Sequence, residues 1–177
     1  MPYALIFFPL LGSILGYFAK SLGDRYSEVT TTVLVVTSAI LSCAIFYNGA
    51  VHDVYGNYKI LDWISSGNFK VNWSINIDPL SSIMLVVVTS VSSLVHIYSI
   101  GYMSHDPNKP RFMSYLSLFT FSMLMLVVSD NFLQLFFGWE GVGLCSYLLI
   151  GFWYKKESAN NAAIKAFLVN RVGDFGL

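Results

Sequence analysis

The stretch from Asn131 to Trp153 is mostly apolar and carries one charged side chain, Glu140. As an α-helix it is long enough to cross a bilayer, because each residue advances the axis by ~1.5 Å and the hydrocarbon core is roughly 30 Å thick. Glu140 then lies about 13 Å from the Asn131 end. A carboxylate at that depth costs free energy unless it is neutral, paired with a cation, or turned toward water or protein.

The composition indicates the same class of protein. Of the 177 residues, 55% are hydrophobic and 11% are charged, whereas soluble domains contain about 25% charged residues. The formal net charge is zero and no basic block is present, which argues against a nucleic-acid partner. We therefore expect an all-α polytopic membrane protein whose surroundings are the lipid bilayer.

The sequence offers no recognisable cofactor or metal site. Cys43 and Cys145 lie far apart inside apolar runs and form no Cys-x-x-Cys pair, so we interpret both as core residues. No ligand set for a flavin, a haem or an iron–sulfur cluster appears, and no metal-ligand spacing. We expect that this chain does not carry electrons itself.

Six apolar segments predict six transmembrane helices in a single incomplete domain. The segments cover about residues 3–19, 29–50, 79–103, 112–129, 131–153 and 159–177. Asp78 and Pro79 form a helix start signal for the third segment, as N-cap and first helical residue. In the first segment, Pro9 favours a kink, and Gly12 with Gly16 predicts a close contact with another helix.

The two ends of the sequence suggest two further expectations. The first apolar run has no basic region before it, so we expect a retained membrane helix rather than a cleaved signal. The sixth segment reaches Leu177 without a C-cap or a following loop. We expect a fragment of a longer chain, the alternative being a split product that another chain completes.

The distribution of basic residues predicts the orientation. The links after the first, third and fifth segments hold six Lys or Arg residues, namely Lys20, Arg25, Lys109, Arg111, Lys155 and Lys156. The opposite side holds only Lys59 and Lys70. The positive-inside rule therefore predicts an N-terminus on the outer side, which is the periplasm or the intermembrane space.

The long link over residues 52–78 has the pattern of a β-hairpin. Apolar and polar residues alternate over 69–77, and a second β-prone run covers 58–64, with a turn at 65–68 between them. This predicts a small external hairpin with one apolar face. Two roles remain open: a lid over the chain's own helices, or a docking element for a neighbouring subunit, since a lone hairpin is only marginally stable.

Glu140 is the leading candidate for a proton site. Burial favours the neutral form of a carboxyl group and a nearby cation favours the charged form, so a group held between them can load and release a proton. A static ion pair is the alternative. Beside Glu140, a stripe of small residues formed by Gly138, Gly141 and Cys145 predicts that another helix approaches closely.

Three further candidates lie in the predicted helices. Arg171 and Asp174 share a face of the sixth helix, at a depth close to that of Glu140, and form either a static salt bridge or a second protonatable site that Arg171 tunes. Lys165, on the other side of that helix, is a possible relay residue, although its depth favours snorkelling to the interface. His96 in the third helix is either a hydrogen-bonded core residue or a relay.

Several blocks of the sequence resemble the distal antiporter-like membrane subunits of respiratory complex I. The most specific is Gly-Trp-Glu-Gly-Val-Gly-Leu-Cys-Ser-Tyr at 138–147, and the others cover 130–134, 148–153, 162–167, 170–174, 94–99 and 102–104. The resemblance extends over essentially the whole chain and corresponds to the N-terminal part of such a subunit.

This resemblance implies proton translocation driven by NADH oxidation and quinone reduction elsewhere in the complex. Glu140 matches the family's proton-loading glutamate, which pairs with a lysine on a helix beyond this sequence. Arg171 and Asp174 match the pair beside it, and His96 matches a histidine of less certain role. The partners implied are other membrane-arm subunits, and the NAD, FMN, iron–sulfur clusters and quinone are implied to lie in partner subunits elsewhere in the complex.

The resemblance also implies a location in the bacterial or mitochondrial inner membrane. Two alternative functions remain open. One is a subunit of a related Na⁺/H⁺ antiporter, and the other is a structural membrane subunit that has no transport role and in which Glu140 is dispensable.

Overall fold

The computed structural model describes residues 1–18, 23–67 and 69–176, which form six α-helices and one antiparallel β-hairpin. The helices are α1 (Pro2–Phe18), α2 (Asp24–His52), α3 (Pro79–Tyr102), α4 (Lys109–Val127), α5 (Phe132–Ile150) and α6 (Glu157–Asp174), and the strands β1 (Gly56–Ser66) and β2 (Phe69–Ile77) connect α2 to α3. The predicted helical architecture with a small hairpin is confirmed. Ala19, Lys20, Asn68 and Leu177, which entered the predictions, lie outside the described residues.

Among the described helices, four are long and apolar enough to cross a membrane, namely α2, α3, α4 and α5. Helix α1 is apolar but has only 17 residues. Helix α6 differs because it contains Glu157, Lys165, Arg171 and Asp174 within 18 residues. The six predicted segments are therefore six helices, of which four meet this criterion of length and composition.

Some helix boundaries differ from the predicted ones. Helix α2 begins at Asp24 rather than at residue 29, so Glu28 lies inside the helix and not before it. Helix α4 begins at Lys109 rather than at residue 112, and Pro110 is tolerated there because the first amide groups of a helix have no intrahelical acceptor. Helix α1 continues through Pro9.

Small residues allow the helices to pack closely. Helix α1 contacts α2 and α4, α2 also contacts α3, and α5 lies between α4 and α6. A Cβ atom added at Gly16 would lie 2.6 Å from Cγ2 of Thr31, so the glycine is needed for the close approach of α1 and α2. The hydroxyl of Ser27 uses this proximity to donate to the carbonyl of Gly16 at 2.8 Å.

The hairpin covers one end of the helical bundle. Ile75 and Ile77 of β2 are buried against Leu124 and Val128 near the end of α4. The amide of Asn76 donates to the carbonyl oxygen of Val128 at 2.9 Å. The apolar face of the hairpin is therefore occupied by the chain's own helices, which favours the lid interpretation over a surface kept free for docking.

Gln134 fastens the hairpin to the start of α5. Its fully buried side chain accepts from the amide of Ser74 at 3.2 Å and donates to the carbonyl of Ser74 at 2.7 Å. Asn131 caps α5 by accepting from the amide of Gln134, and also donates to the carbonyl of Asn72 at 2.8 Å. The entry of the helix that carries Glu140 is therefore held by β2.

The predicted start of α3 is confirmed in detail. The carboxylate of Asp78 accepts from the amide of Ser81 at 2.6 Å, and the Ser81 hydroxyl accepts from the amide of Asp78 at 2.8 Å. Pro79 occupies the first turn. The hydrogen bond from the Ser81 amide holds the pKa of the Asp78 carboxyl below its usual value, because it stabilises the charged form.

Two basic residues of the predicted inner link before α4 contact neighbouring elements at one end of the bundle. Lys109 at the start of α4 contacts Glu28 near the start of α2, with 3.7 Å between Nζ and Oε1. Arg111 donates to the carbonyl of Phe152, in the link between α5 and α6, at 2.8 Å. Which side of the membrane this end faces stays a prediction.

Candidate functional site

The candidate site lies between α5 and α6, which pack antiparallel to each other. Three contacts show the pairing: Trp139 donates to Asp174, the rings of Tyr147 and Phe167 lie 5.5 Å apart, and Gly151 lies against Ala163. Residues near the start of α5 therefore face the end of α6. As the sequence predicts, Glu140 and Asp174 lie at similar depth.

A stripe of small residues sets the position of α5 on α4. A Cβ atom added at Gly138 would come within 2.7 Å of the Leu126 backbone, and one at Gly141 within 2.9 Å of the Ser122 hydroxyl oxygen. Cys145 is buried, with its Sγ 3.7 Å from the same hydroxyl. The structure thus shows the predicted close helix contact, and the helix that makes it is α4.

The charged side chains of α5 and α6 form one cluster around Arg171. Nη1 of Arg171 forms an ion pair with Oε2 of Glu140 and lies 3.9 Å from Oδ2 of Asp174. The guanidinium also lies over the ring of Phe167, 4.8 Å from its centroid. Within the described residues the basic partner of Glu140 is Arg171, and the partner expected on a helix beyond this sequence stays a prediction.

Asp174 has a second partner that the sequence pattern did not indicate. The indole Nε1 of Trp139 donates to Oδ1 of Asp174 at 2.6 Å. Because Trp139 precedes Glu140, α5 presents an ion-pair partner and a hydrogen-bond donor to the same helix. A tryptophan beside a buried acid is a detectable signal, since its indole N–H needs an acceptor when the ring is packed.

The hydrogen bonding of Glu140 is incomplete. Its side chain is 18% exposed, yet its Oε1 is buried and receives no hydrogen bond from any described residue. Asp174 is 11% exposed and Arg171 is 44% exposed, so the cation is the most accessible member. A buried acceptor oxygen without a donor is costly.

A small cavity lies between α4, α5 and α6 and borders the cluster at Asp174. It has a volume of about 190 Å³ and is lined by Trp139, Gly143 and Asp174 together with residues of α4 and α6. Such a volume is large enough for water molecules. The cavity therefore places Asp174 beside a space between α4, α5 and α6 that is large enough for water.

Lys165 and His96 do not belong to this cluster. Lys165 is exposed on α6 and has no ion-pair partner within the described ranges, which favours the snorkelling interpretation. His96 is fully buried on α3, where Nε2 lies 3.0 Å from the Ser117 hydroxyl and Nδ1 lies 2.8 Å from the Ser92 carbonyl.

His96 and Glu140 flank α4 from two sides. His96 contacts α4 at Ser117, and the neighbouring Ser92 and Thr120 hydroxyls are 2.5 Å apart. The helix of Glu140 instead meets α4 at Ser122 and Leu126. The structure therefore keeps the histidine in a hydroxyl-rich interface of its own, and a relay role for it stays a prediction.

The chemistry available to the cluster is the binding and release of protons. It holds two carboxyl groups, one guanidinium that stays charged, and one indole donor, on helices that are otherwise apolar. Among the described residues, no group of three or more His, Cys, Asp or Glu side chains is placed to hold a metal ion. The expectation that cofactors belong to partner subunits stays a prediction.

Two family models match separate parts of the chain. Residues 63–113 match the model described as NADH-Ubiquinone oxidoreductase (complex I), chain 5 N-terminus. Residues 129–177, which contain the whole cluster, match the model described as NADH:quinone oxidoreductase/Mrp antiporter, TM.

Individual relatives are similar over nearly the whole chain. NADH-quinone oxidoreductase subunit L of Rickettsia felis is 58% identical over 172 residues, which is 97% of this chain and 27% of the relative. NADH-ubiquinone oxidoreductase chain 5 of Arabidopsis thaliana is 58% identical over 174 residues, or 98% of this chain and 26% of the relative. The chain thus spans about a quarter of the length of these relatives.

Proposed function

The chain belongs to the family of subunit L of NADH-quinone oxidoreductase and chain 5 of NADH-ubiquinone oxidoreductase, and from that premise we propose that it supplies a proton-binding site to a proton-translocating NADH:quinone oxidoreductase. The proposal covers the membrane arm only. NADH oxidation and quinone reduction take place in partner subunits, which hold NAD, FMN, iron–sulfur clusters and quinone. Other membrane-arm subunits and the lipid bilayer are the direct neighbours.

One observation carries this proposal. Glu140 lies in an apolar helix, pairs with Arg171 through Oε2, and keeps a buried Oε1 to which no described residue donates. A carboxyl group placed so can exchange its ion pair for a proton when its neighbours move. The site then works by exchange at the Glu140 carboxyl group, which either pairs with Arg171 or binds a proton.

Arg171 acts as the shared cation of the site. It contacts Glu140 directly and stands 3.9 Å from Asp174, so a small movement changes which carboxylate it neutralises. Since a guanidinium does not release its proton in proteins, the protons that move belong to the two carboxyl groups. A proton on Glu140 would free Arg171 to pair with Asp174, and the reverse movement would expel that proton.

The location follows from the relatives and from the four apolar helices. The family occurs in bacteria and in mitochondria, and α2 to α5 are suited to cross a bilayer. We place the protein in the bacterial or mitochondrial inner membrane as a multi-pass subunit. By the positive-inside rule its N-terminus is on the periplasmic or intermembrane-space side.

The test is a substitution of Glu140→Gln in the intact complex, reconstituted into liposomes. We expect fewer protons pumped per NADH oxidised, because glutamine keeps the shape of the side chain but cannot ionise. Proton uptake is followed with a pH-sensitive dye and NADH oxidation by absorbance. Glu157→Gln, at an exposed acid in the first turn of α6, is the matched control and should leave both rates unchanged.

Asp174→Asn should reduce pumping less than Glu140→Gln. The asparagine oxygen can still accept from Trp139, and Arg171 keeps its ion pair with Glu140. The same liposome assay ranks the two variants. Unchanged pumping and NADH oxidation with Glu140→Gln would support a structural membrane subunit, and a larger loss with Asp174→Asn would reverse the roles assigned to the two acids.

One observation favours a second candidate function. The family model that covers the cluster is described jointly for NADH:quinone oxidoreductase and the Mrp antiporter, so a Na⁺/H⁺ antiporter subunit is the alternative. The two differ in what drives the protons. Proton movement that requires a sodium gradient and is independent of NADH would favour the antiporter.

A further inference from the structure

A second buried acid lies at the end of the bundle where α2 and α4 begin. Glu28 is 8% exposed although it lies only one turn inside α2. Its neighbour is Lys109, the first residue of α4, whose Nζ is 3.7 Å from Oε1 of Glu28. The two residues are far apart in sequence and are brought together by the packing of α4 beside α2.

The contact is too loose to satisfy the carboxylate. At 3.7 Å the pair is longer than a charge-assisted hydrogen bond, which spans about 2.7–2.9 Å. Oε1 of Glu28 and Oγ1 of Thr32 are both buried, and neither has a hydrogen-bond partner in the described part of the chain. Because residues four apart share a helix face, the two unsatisfied oxygens point to the same side of α2.

Among the described residues, few other charged side chains lie on the helices around Glu28. Helix α1 contains no charged side chain, and His96 on α3 is held by Ser117 and the Ser92 carbonyl. On α4, Arg111 is directed to the carbonyl of Phe152. On α2 itself, Asp24 and Arg25 are exposed to solvent. Lys109 is the one cation paired with Glu28 among the described residues.

The interface beyond Glu28 is lined with hydroxyl groups. The hydroxyls of Ser13 and Ser114 are 3.2 Å apart, Ser117 contacts His96, and Ser42 and Thr89 are 2.7 Å apart. All of these side chains are buried within α1 to α4. Hydroxyl groups both donate and accept hydrogen bonds, and that of Thr32, one turn after Glu28 on α2, has no partner among the described residues.

We propose that Glu28 is a second proton-binding site of this protein, with Lys109 as its counter-charge. In one state the carboxylate is paired with the ammonium group of Lys109. In the other it has bound one proton from water at that end of the bundle, and its new O–H donates to a hydroxyl or carbonyl oxygen such as that of Thr32. Lys109, whose side chain is 21% exposed, then turns toward solvent.

A static ion pair is the competing explanation, and the geometry argues against it. Buried ion pairs contribute stability only when additional hydrogen bonds satisfy both groups. Here one carboxylate oxygen has a single contact at 3.7 Å. The proposed site goes beyond the pumping role assigned to Glu140, and its occupancy can be measured without any pumping.

The experiment is labelling of the intact complex in its membrane with a hydrophobic carbodiimide, which reacts with protonated carboxyl groups. Peptide mass spectrometry then compares Glu28 with Asp24, the exposed acid one turn earlier on the same helix. We expect several-fold more label on Glu28, increasing as the pH is lowered. Lys109→Met should increase labelling of Glu28 at neutral pH, because the carboxylate has lost its counter-charge.

The outcomes separate this inference from the proposed function. Labelling of Glu28 above Asp24, with the increase in Lys109→Met, supports the site whether or not Glu140 takes part in pumping. Equal labelling of the two acids over the pH range, in both the unsubstituted chain and Lys109→Met, would show that Glu28 stays ionised and would overturn the inference.

Discussion

Two ion pairs lie near opposite ends of α4, and the acid and the base are engaged differently in each. At the α5–α6 site, Arg171 serves two carboxylates and contacts Glu140 directly. At the α2–α4 site, Lys109 serves Glu28 alone and from 3.7 Å. Each site leaves one buried carboxylate oxygen without a hydrogen bond from the described residues. The shared feature is an acid that is only partly satisfied, and the difference is how strongly its base is engaged.

The type of base explains this difference. A guanidinium is planar, keeps its charge and can contact two acids at once. Arg171 links α5 to α6 through its ion pair with Glu140, whereas Asp174 lies on its own helix. An ammonium group on a flexible stem is more strongly hydrated, and Lys109 lies at a helix start from which it can reach water. The first site therefore holds two helices together, and the second can open without separating its helices.

The largest effect on stability is expected from Arg171→Gln. This change leaves two mostly buried carboxylates without a cation and should cost about 1–3 kcal/mol, below the 3–5 kcal/mol typical of fully buried pairs, because Arg171 is 44% exposed. Lys109→Gln should cost less, since it strands one carboxylate. Thermal unfolding of the purified complex measures both, and an equal or larger loss with Lys109→Gln would contradict the comparison.

The second prediction tests the packing that positions Glu140. Gly138→Ala places a methyl group within 2.7 Å of the Leu126 backbone, and overpacking of this kind costs about 1–3 kcal/mol. Gly143→Ala is the matched control, because its nearest contact would be 3.9 Å away, at Asn170. It should be neutral or stabilise α5 by up to about 1 kcal/mol through helix propensity.

The same thermal unfolding assay decides between these two glycine variants. Equal stability of Gly138→Ala and Gly143→Ala would mean that the contact between α4 and α5 is not limiting. A specific loss in Gly138→Ala, accompanied by reduced proton pumping, would show that the position of α5 on α4 sets the geometry of the acid–base cluster.

The smallest effect is expected at Asp78, a third carboxylate that is fully engaged and so serves as a reference for the two ion pairs. Asp78→Ala removes the cap of α3 and should cost about 1 kcal/mol. Because the pKa of Asp78 is lowered in the folded state, its contribution is present above the unfolded carboxyl pKa of about 3.9. It is lost as the pH falls through the lower folded value.

The Asp78→Ser variant distinguishes the stability that comes from capping α3 from the stability that comes from the charge of the carboxylate. Serine is also a good N-cap but does not titrate in acid, so most of the stability should remain while its dependence on pH in this range weakens. Unfolding by denaturant at several acidic pH values measures this. An unchanged acid dependence in Asp78→Ser would assign it to other carboxylates.

Local sequence patterns were sufficient for the elements of the fold. The alternation over 69–77 predicted β2, Asp78 and Pro79 predicted the start of α3, and the small residues beside Glu140 predicted a close helix contact. These features depend on residues within a few positions of each other, where backbone geometry dictates which side chains share a face. Boundaries were less accurate, as α2 shows by beginning at Asp24.

The sequence by itself determined that Glu140 is a costly charge in an apolar helix and that Arg171 and Asp174 share a face. Only the tertiary structure decided that Arg171 turns to Glu140, and that Glu28 meets Lys109. Those contacts depend on how each helix is rotated about its axis when it packs, and an apolar helix has many faces of nearly equal hydrophobicity. The rotation is chosen by the fit of whole helices, through contacts such as that of Gly138 with α4.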